Sequence, residues 1–147
     1  MTLDRCRFFS QNYPENTLIA MDGKKVVGFI SYGNLRDETI QAGEIIALYV
    51  LKDYYGKGIA QKLMTEVLSA LDHFSEIYLW VLKENKRAIA FYQKMGFTFD
   101  GQEKILELGK PVKELRMMCS SKKIPKGPIY QSLNHYQLIK KKIKEIE

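Results

Sequence analysis

Short apolar runs of strand length, punctuated by turn-forming residues, alternate along the chain with segments whose apolar positions recur every three or four residues. Thr17 to Met21 reads as a short strand, and Asp22-Gly23 is a strong hairpin signal leading into a second strand, Lys25 to Tyr32 ("KVVGFISY"). The polar stretch "GNLRDETIQAG" connects it to a buried strand, Glu44 to Val50 ("EIIALYV"). Ile59 to Leu71 has helical spacing, with Leu63, Met64, Val67, Leu68 and Leu71 on one side. Another buried strand follows, Glu76 to Leu82 ("EIYLWVL"), then a helix from Lys86 to Met95 that stops at Gly96. Phe97 to Asp100 and Glu114 to Cys119 read as a final antiparallel pair around a loop at Gly109-Lys110-Pro111. The composition of "SSKKIPKGP" marks a linker, and Ser132 to Glu147 predicts a last helix with Tyr136, Ile139, Ile143 and Ile146 at heptad-like spacing. The predicted division is a domain over residues 1–119 and a linker with amphipathic helix over 120–147.

Charge sharpens this division. Residues 120–147 hold seven lysines against two glutamates, so five of the six net positive charges lie there and the body is balanced. No aromatic residues interleave with "KKKIK", which favours a solvated helix face over a nucleic-acid surface. No apolar run is long enough to span a membrane, and the N-terminal stretch has no signal-peptide core. Cys6 and Cys119 make neither a disulfide framework nor a metal spacing, and His73 and His135 have no ligand-type neighbours. The expectation is a cytoplasmic protein with reduced thiols and no metal.

The stretch "YVLKDYYGKGIAQKLM" carries the first chemistry. Gly56 and Gly58 separate a strand from a helix that begins at once, an arrangement that brings backbone N–H groups close to an anion. A dinucleotide fingerprint fits poorly, because Gln61 stands where a third glycine is needed and the loop follows an antiparallel hairpin. A Walker loop is excluded, since no Gly-Lys-Ser/Thr follows at the required spacing. A pyrophosphate cradle for coenzyme A and a plain sharp turn remain.

The second stretch is "ENKRAIAFYQKMGF", with Asn85, Ala88, Phe91, Tyr92, Lys94, Gly96 and Phe97 at fixed intervals. Together the two stretches resemble the GNAT superfamily of acetyl-CoA-dependent N-acetyltransferases. Tyr55-Gly56-Lys57-Gly58-Ile59-Ala60 matches that family's Gln/Arg-x-x-Gly-x-Gly/Ala motif, with Tyr55 as the departure. Asn85 to Phe97 matches its Asn-x-x-Ala-x-x-Phe-Tyr-x-Lys-x-Gly-Phe pattern throughout. The resemblance covers Thr17 to Cys119 and implies an α/β fold (α+β by some schemes), a mixed, twisted sheet flanked by helices. Sixteen residues precede Thr17, so the N-terminal strand and helices that wall the acceptor side in the family are expected to be mostly missing, with the C-terminal helix as their substitute.

The resemblance also implies roles. Tyr55, Gly56, Lys57, Gly58, Ile59 and Ala60 would cradle the diphosphate, and Leu48, Tyr49 and Val50 would offer backbone to the pantetheine arm. Asn85 would bond the same arm or cap the helix at Lys86, and Ala88 would line the site. Tyr92 is the candidate general acid for the leaving thiolate, against a place in the core beside Phe91, which is the better core residue of the two. Glu44 is the candidate general base, against an exposed charge at a strand end; alternation puts it on the face of Leu48 and Val50 unless a bulge intervenes. The expected reaction is direct transfer from acetyl-CoA to a primary amine of a small molecule, peptide or protein, with no metal. A non-catalytic acyl-CoA-binding module is the rival, and a nicotinamide-nucleotide domain the remote third. A homodimer would hide the apolar stripe of the last helix.

Overall fold

The computed structural model describes residues 2–5, 16–36 and 39–121. Seven strands form one sheet: β1 (Thr2–Arg5), β2 (Thr17–Asp22), β3 (Lys25–Asn34), β4 (Gly43–Val50), β5 (Glu76–Leu82), β6 (Thr98–Glu107) and β7 (Pro111–Ser120), in spatial order β1-β2-β3-β4-β5-β7-β6. All neighbours are antiparallel except β4 and β5, whose parallel pairing requires the crossover supplied by helix α1 (Ile59–Ala70). A second helix, α2 (Lys86–Lys94), links β5 to β6. The sheet is therefore mixed, as the family resemblance implied. The expected C-terminal helix over 132–147 lies outside the described residues.

Two strands exceed what the hydrophobic pattern predicts. β1 pairs with β2 from Thr2 opposite Met21 to Arg5 opposite Leu18, so the strand expected to be missing before the hairpin is present. "TLDR" has too few apolar positions to announce itself. β6 extends to Glu107 instead of stopping at Asp100, with a register shift between Phe99 and Glu103. It is an edge strand with little of either face buried, so no alternation marks it in the sequence.

The core lies between the sheet and the helices. Leu63, Met64 and Val67 of α1 are fully buried against Val27, Ile30, Ile45, Ile77 and Leu79 of the sheet. Each such burial is worth about 1.5–3 kcal/mol, which is what holds a helix this short, marginal by itself in water. Phe97 and Met117 close the same core beneath α2. Cys119 is buried there too.

The feature that shapes the molecule is a parting of strands. β4 and β5 pair only over Gly43–Ile45 with Ile77–Leu79. Beyond that, β4 stays bonded to β3 as far as Val50 opposite Gly28, and β5 to β7 as far as Leu82 opposite Glu114. The two strands separate, and the inner backbone edge of Ile46 to Val50 has no strand beside it. Backbone polar groups of such an edge take a partner from solvent or from an extended ligand.

Candidate active site

The strand β4 turns at Leu51, whose N–H bonds the Val27 carbonyl at 2.9 Å, into a single 3₁₀ turn over Lys52–Tyr54. Tyr54 fastens this turn to the β2–β3 hairpin by donating its hydroxyl to Asp22 Oδ2 at 2.6 Å, a bond that also raises the phenol's pKa. Gly56 and Gly58 follow with φ of +77° and +78°, in the left-handed region that favours glycine, and nothing lies within 4 Å of where a Cβ would stand. Gly58 is the N-cap of α1, no side chain caps the helix, and its first turn carries no acid. The first-turn N–H groups, which have no partner within a helix, meet the open space that the glycines preserve.

That space is a cleft of about 630 Å³. Leu48, Tyr49 and Val50 line it from β4, Tyr55, Gly56, Gly58, Ile59 and Ala60 from the loop and helix start, and Asn85, Ala88 and Tyr92 from the other side. Of the residues nominated for cofactor binding, Lys57 alone does not line it; its Nζ sits over the Tyr54 ring, 4.8 Å from the centroid. Tyr54, Gln61, Arg87, Phe91 and Lys94 also line the cleft and were not nominated. Only a three-dimensional juxtaposition brings Arg87 to Tyr55, with the guanidinium carbon 3.5 Å from the ring centroid.

A second, smaller cleft of about 250 Å³ fills the wedge between the parted strands, lined by Ile45 to Leu48, Trp80 to Leu82 and Glu114. It shares Leu48, Asn85, Ala88 and Tyr92 with the first, so these four stand at the junction of the two spaces. Glu114, on β7, is the only carboxylate among the described residues lining either cleft, and it lies 4.0 Å from Lys104 Nζ.

Asn85 caps α2: its Oδ1 accepts from the Ala88 N–H at 3.1 Å, which leaves the amide NH₂ for the cleft. Tyr92 is 9% exposed, and burial pushes its pKa up, holding the phenol protonated. Its ring meets Phe91 and Phe97 edge-on at 5.7 and 6.1 Å. Of the two aromatics Phe91 is the less buried and also lines the cleft, so the expectation that Phe91 fills the core and leaves the cleft to Tyr92 is corrected. Phe91 lines the larger cleft alone, whereas Tyr92 lines both.

Glu44 is nearly fully buried at 1% exposure, so it is not a solvent-exposed strand-end charge. Arg36 grips it in a fork, Nη2 to Oε2 at 2.7 Å and Nε to Oε1 at 3.0 Å, and the Arg36 backbone N–H adds a bond at 3.2 Å. Its face is also corrected. Tyr32 pairs with Ile45 but Ser31 pairs with Ala47, so Ile46 is a bulge that resets the alternation. Ile45, Leu48 and Val50 face the α1 core, while Glu44 shares the opposite face with Ala47 and Tyr49. On that face Glu44 is in register with Tyr78 of β5, whose hydroxyl donates to Glu76 and whose pKa is pushed up to about 12, chiefly by burial. Arg116 stacks over the Tyr78 ring at 4.5 Å and bonds Asp100 at 2.6 Å.

The comparisons with known proteins agree with this geometry. The sequence profile described as the acetyltransferase (GNAT) family matches residues 2–97. N-alpha-acetyltransferase 30 of Schizosaccharomyces pombe is 32% identical, over 62% of this chain and 63% of its own length. A "probable spermine N(1)-acetyltransferase" of Bacillus subtilis subsp. natto is 32% identical, over 52% of this chain and 55% of its own. The chain thus spans between half and two thirds of these curated relatives. Among solved structures, the NatC complex bound to Gag peptide and CoA superimposes with a TM-score of 0.63 at 28% identity, covering 78% of this chain and 76% of that one. Profile, relatives and fold converge on one conclusion: the chain belongs to the acetyltransferase (GNAT) family.

Proposed function

We propose that this protein transfers the acetyl group of acetyl-CoA to a primary amine, by direct attack within a ternary complex. The observation that carries the proposal is the junction of two clefts at the strand parting. One leads to an anion-binding loop and the other to the opposite face of the sheet, with a protonated Tyr92 between them. The residues fit the cofactor. The open space at Gly56 and Gly58 and the uncapped start of α1 suit a diphosphate, and the unpaired edge of β4 suits the amides of a pantetheine arm. Bound acetyl-CoA supplies a thioester carbonyl open to attack by an amine.

The chain's own groups handle the protons. The Tyr92 hydroxyl donates to the sulfur as the carbon–sulfur bond breaks, and burial keeps that proton in place at neutral pH. The ammonium must lose its proton before the carbon–nitrogen bond forms, a task for a carboxylate. Two carboxylates are candidates. Glu44 is nominated by its position on β4 but lines neither cleft and is held in the Arg36 fork. Glu114 lines the smaller cleft together with Tyr92. The acceptor reading is an amine of a peptide or of a small polyamine, the two kinds named among the relatives. No helix among the described residues is long and apolar enough to cross a membrane. The heptad-spaced stripe of residues 132–147 supports a homodimer.

The test is stabilisation by acetyl-CoA but not NAD in thermal melts, followed by thiol release with a panel of peptide and polyamine acceptors. Stabilisation by NAD alone refutes the cofactor. Acetyl-CoA binding without turnover on any acceptor gives the non-catalytic module.

A further inference from the structure

We infer that the cation facing the diphosphate in this protein is Arg87, delivered by α2 across the cleft and held flat by Tyr55. The inference rests on the acetyl-CoA reading above and adds to it a residue that the glycine loop does not contain.

The loop itself is short of charge. From Tyr55 to Ala60 its one cation is Lys57, which stays over Tyr54 and outside the cleft lining. The cations that do line the cleft, Arg87 and Lys94, both come from α2. Arg87 reaches the glycines, because its guanidinium lies 3.5 Å from the centroid of Tyr55, the residue next to Gly56. Stacking occupies the face of a guanidinium and leaves its N–H edges free in the plane, the edges that bind phosphate oxygens two at a time.

The position of Arg87 also runs against helix electrostatics. α2 opens with Lys86 and Arg87, its first turn holds no acid, and a cation there opposes the positive end of the helix dipole. No carboxylate pairs with Arg87 among the described residues. A local rule broken with no carboxylate to offset it is the mark of a group kept for a ligand, and an anion in the cleft relieves the repulsion. Tyr55, uncharged where the glycine loop begins, acts as the platform that aims the arginine.

The experiment is calorimetric binding of CoA, dephospho-CoA and pantetheine to wild type, Arg87→Ala and the double variant Arg87→Ala with Tyr55→Arg. Arg87→Ala should bind CoA and dephospho-CoA about ten- to a hundredfold more weakly, the range of a lost charge-assisted hydrogen bond. Pantetheine, which carries no phosphate, should bind as it does to wild type. Returning a cation to the loop through Tyr55→Arg should restore most of the lost affinity. The ligand-free melting temperature of Arg87→Ala should not fall, since the side chain is exposed and its removal eases the dipole. Unchanged CoA affinity in Arg87→Ala overturns the inference alone, as does an equal loss for pantetheine. A loss confined to CoA assigns Arg87 to the 3′-phosphate and overturns the diphosphate assignment. Failure of wild type to bind any of the three overturns the cofactor reading and this inference with it.

Discussion

Glu66 lies on α1 at 6% exposure, and its Oε2 has no hydrogen-bond partner among the described residues. Burial pushes its pKa from the ordinary 4.5 to about 7. The folded state therefore favours the neutral acid, while the unfolded chain ionises it at the usual pH. Stability from this group is fully present below about pH 4.5 and is lost as pH rises through about 7. A displacement of that size corresponds to a ceiling of about 3 kcal/mol, and relaxation of the helix and its surroundings lowers it to roughly 2. Glu66→Gln keeps shape and polarity but cannot ionise. Urea unfolding curves from pH 4 to 9 should nearly coincide for variant and wild type at the acid end. Above pH 7 the variant should be the more stable, with a midpoint roughly 1 M urea higher. Parallel pH profiles of the two proteins would falsify the reasoning, because they would mean that the folded carboxyl ionises as freely as the unfolded one.

Other outcomes follow from the clefts. Tyr92→Phe should keep the fold and CoA affinity while kcat drops tenfold to a thousandfold, roughly the range of a lost general acid; unchanged turnover makes Tyr92 a packing residue. Gly58→Glu should abolish CoA stabilisation in thermal melts, since a carboxylate would enter the anion site. Gly58→Ala, with the same left-handed strain of about 1–2 kcal/mol but no charge, should retain part of it. The base is identified by pH–rate profiles of Glu44→Gln and Glu114→Gln: the variant that loses most near neutral pH and recovers as free amine becomes available marks the proton acceptor, and profiles parallel to wild type in both assign that step to water.

The glycine loop and the Asn85–Phe97 pattern were legible because each is written in consecutive residues whose local geometry is self-sufficient. All but one of the nominated cofactor residues line the cleft. Arg87, Trp80 and Glu114 were not legible, because their place at the clefts depends on where β5, α2 and β7 fall beside β4. The bulge at Ile46 was hidden for a different reason. "EIIALYV" is apolar at nearly every position, so it has no alternation for a bulge to break, and Glu44 was turned to the wrong face. Edge strand β1 and the part of edge strand β6 beyond Asp100 escaped because their sequences need satisfy only one neighbour.

The parting of β4 from β5 leaves the sheet as two plates, β1 to β4 and β5 with β7 and β6, stitched directly at three residue pairs. A seam that narrow is a natural boundary between cooperative units, since opening it disturbs few ladder bonds. A ligand lodged in the gap touches both plates and works as a wedge-shaped keystone. Its grip resists not only its own escape but the separation of the halves. Amide exchange along β5 and β7 should then slow when the cleft on the β4 side is filled, although most of those amides never meet the ligand. On the proposed function, acetyl-CoA bound there would also be a structural member, lent to the sheet while it stays and withdrawn when it leaves.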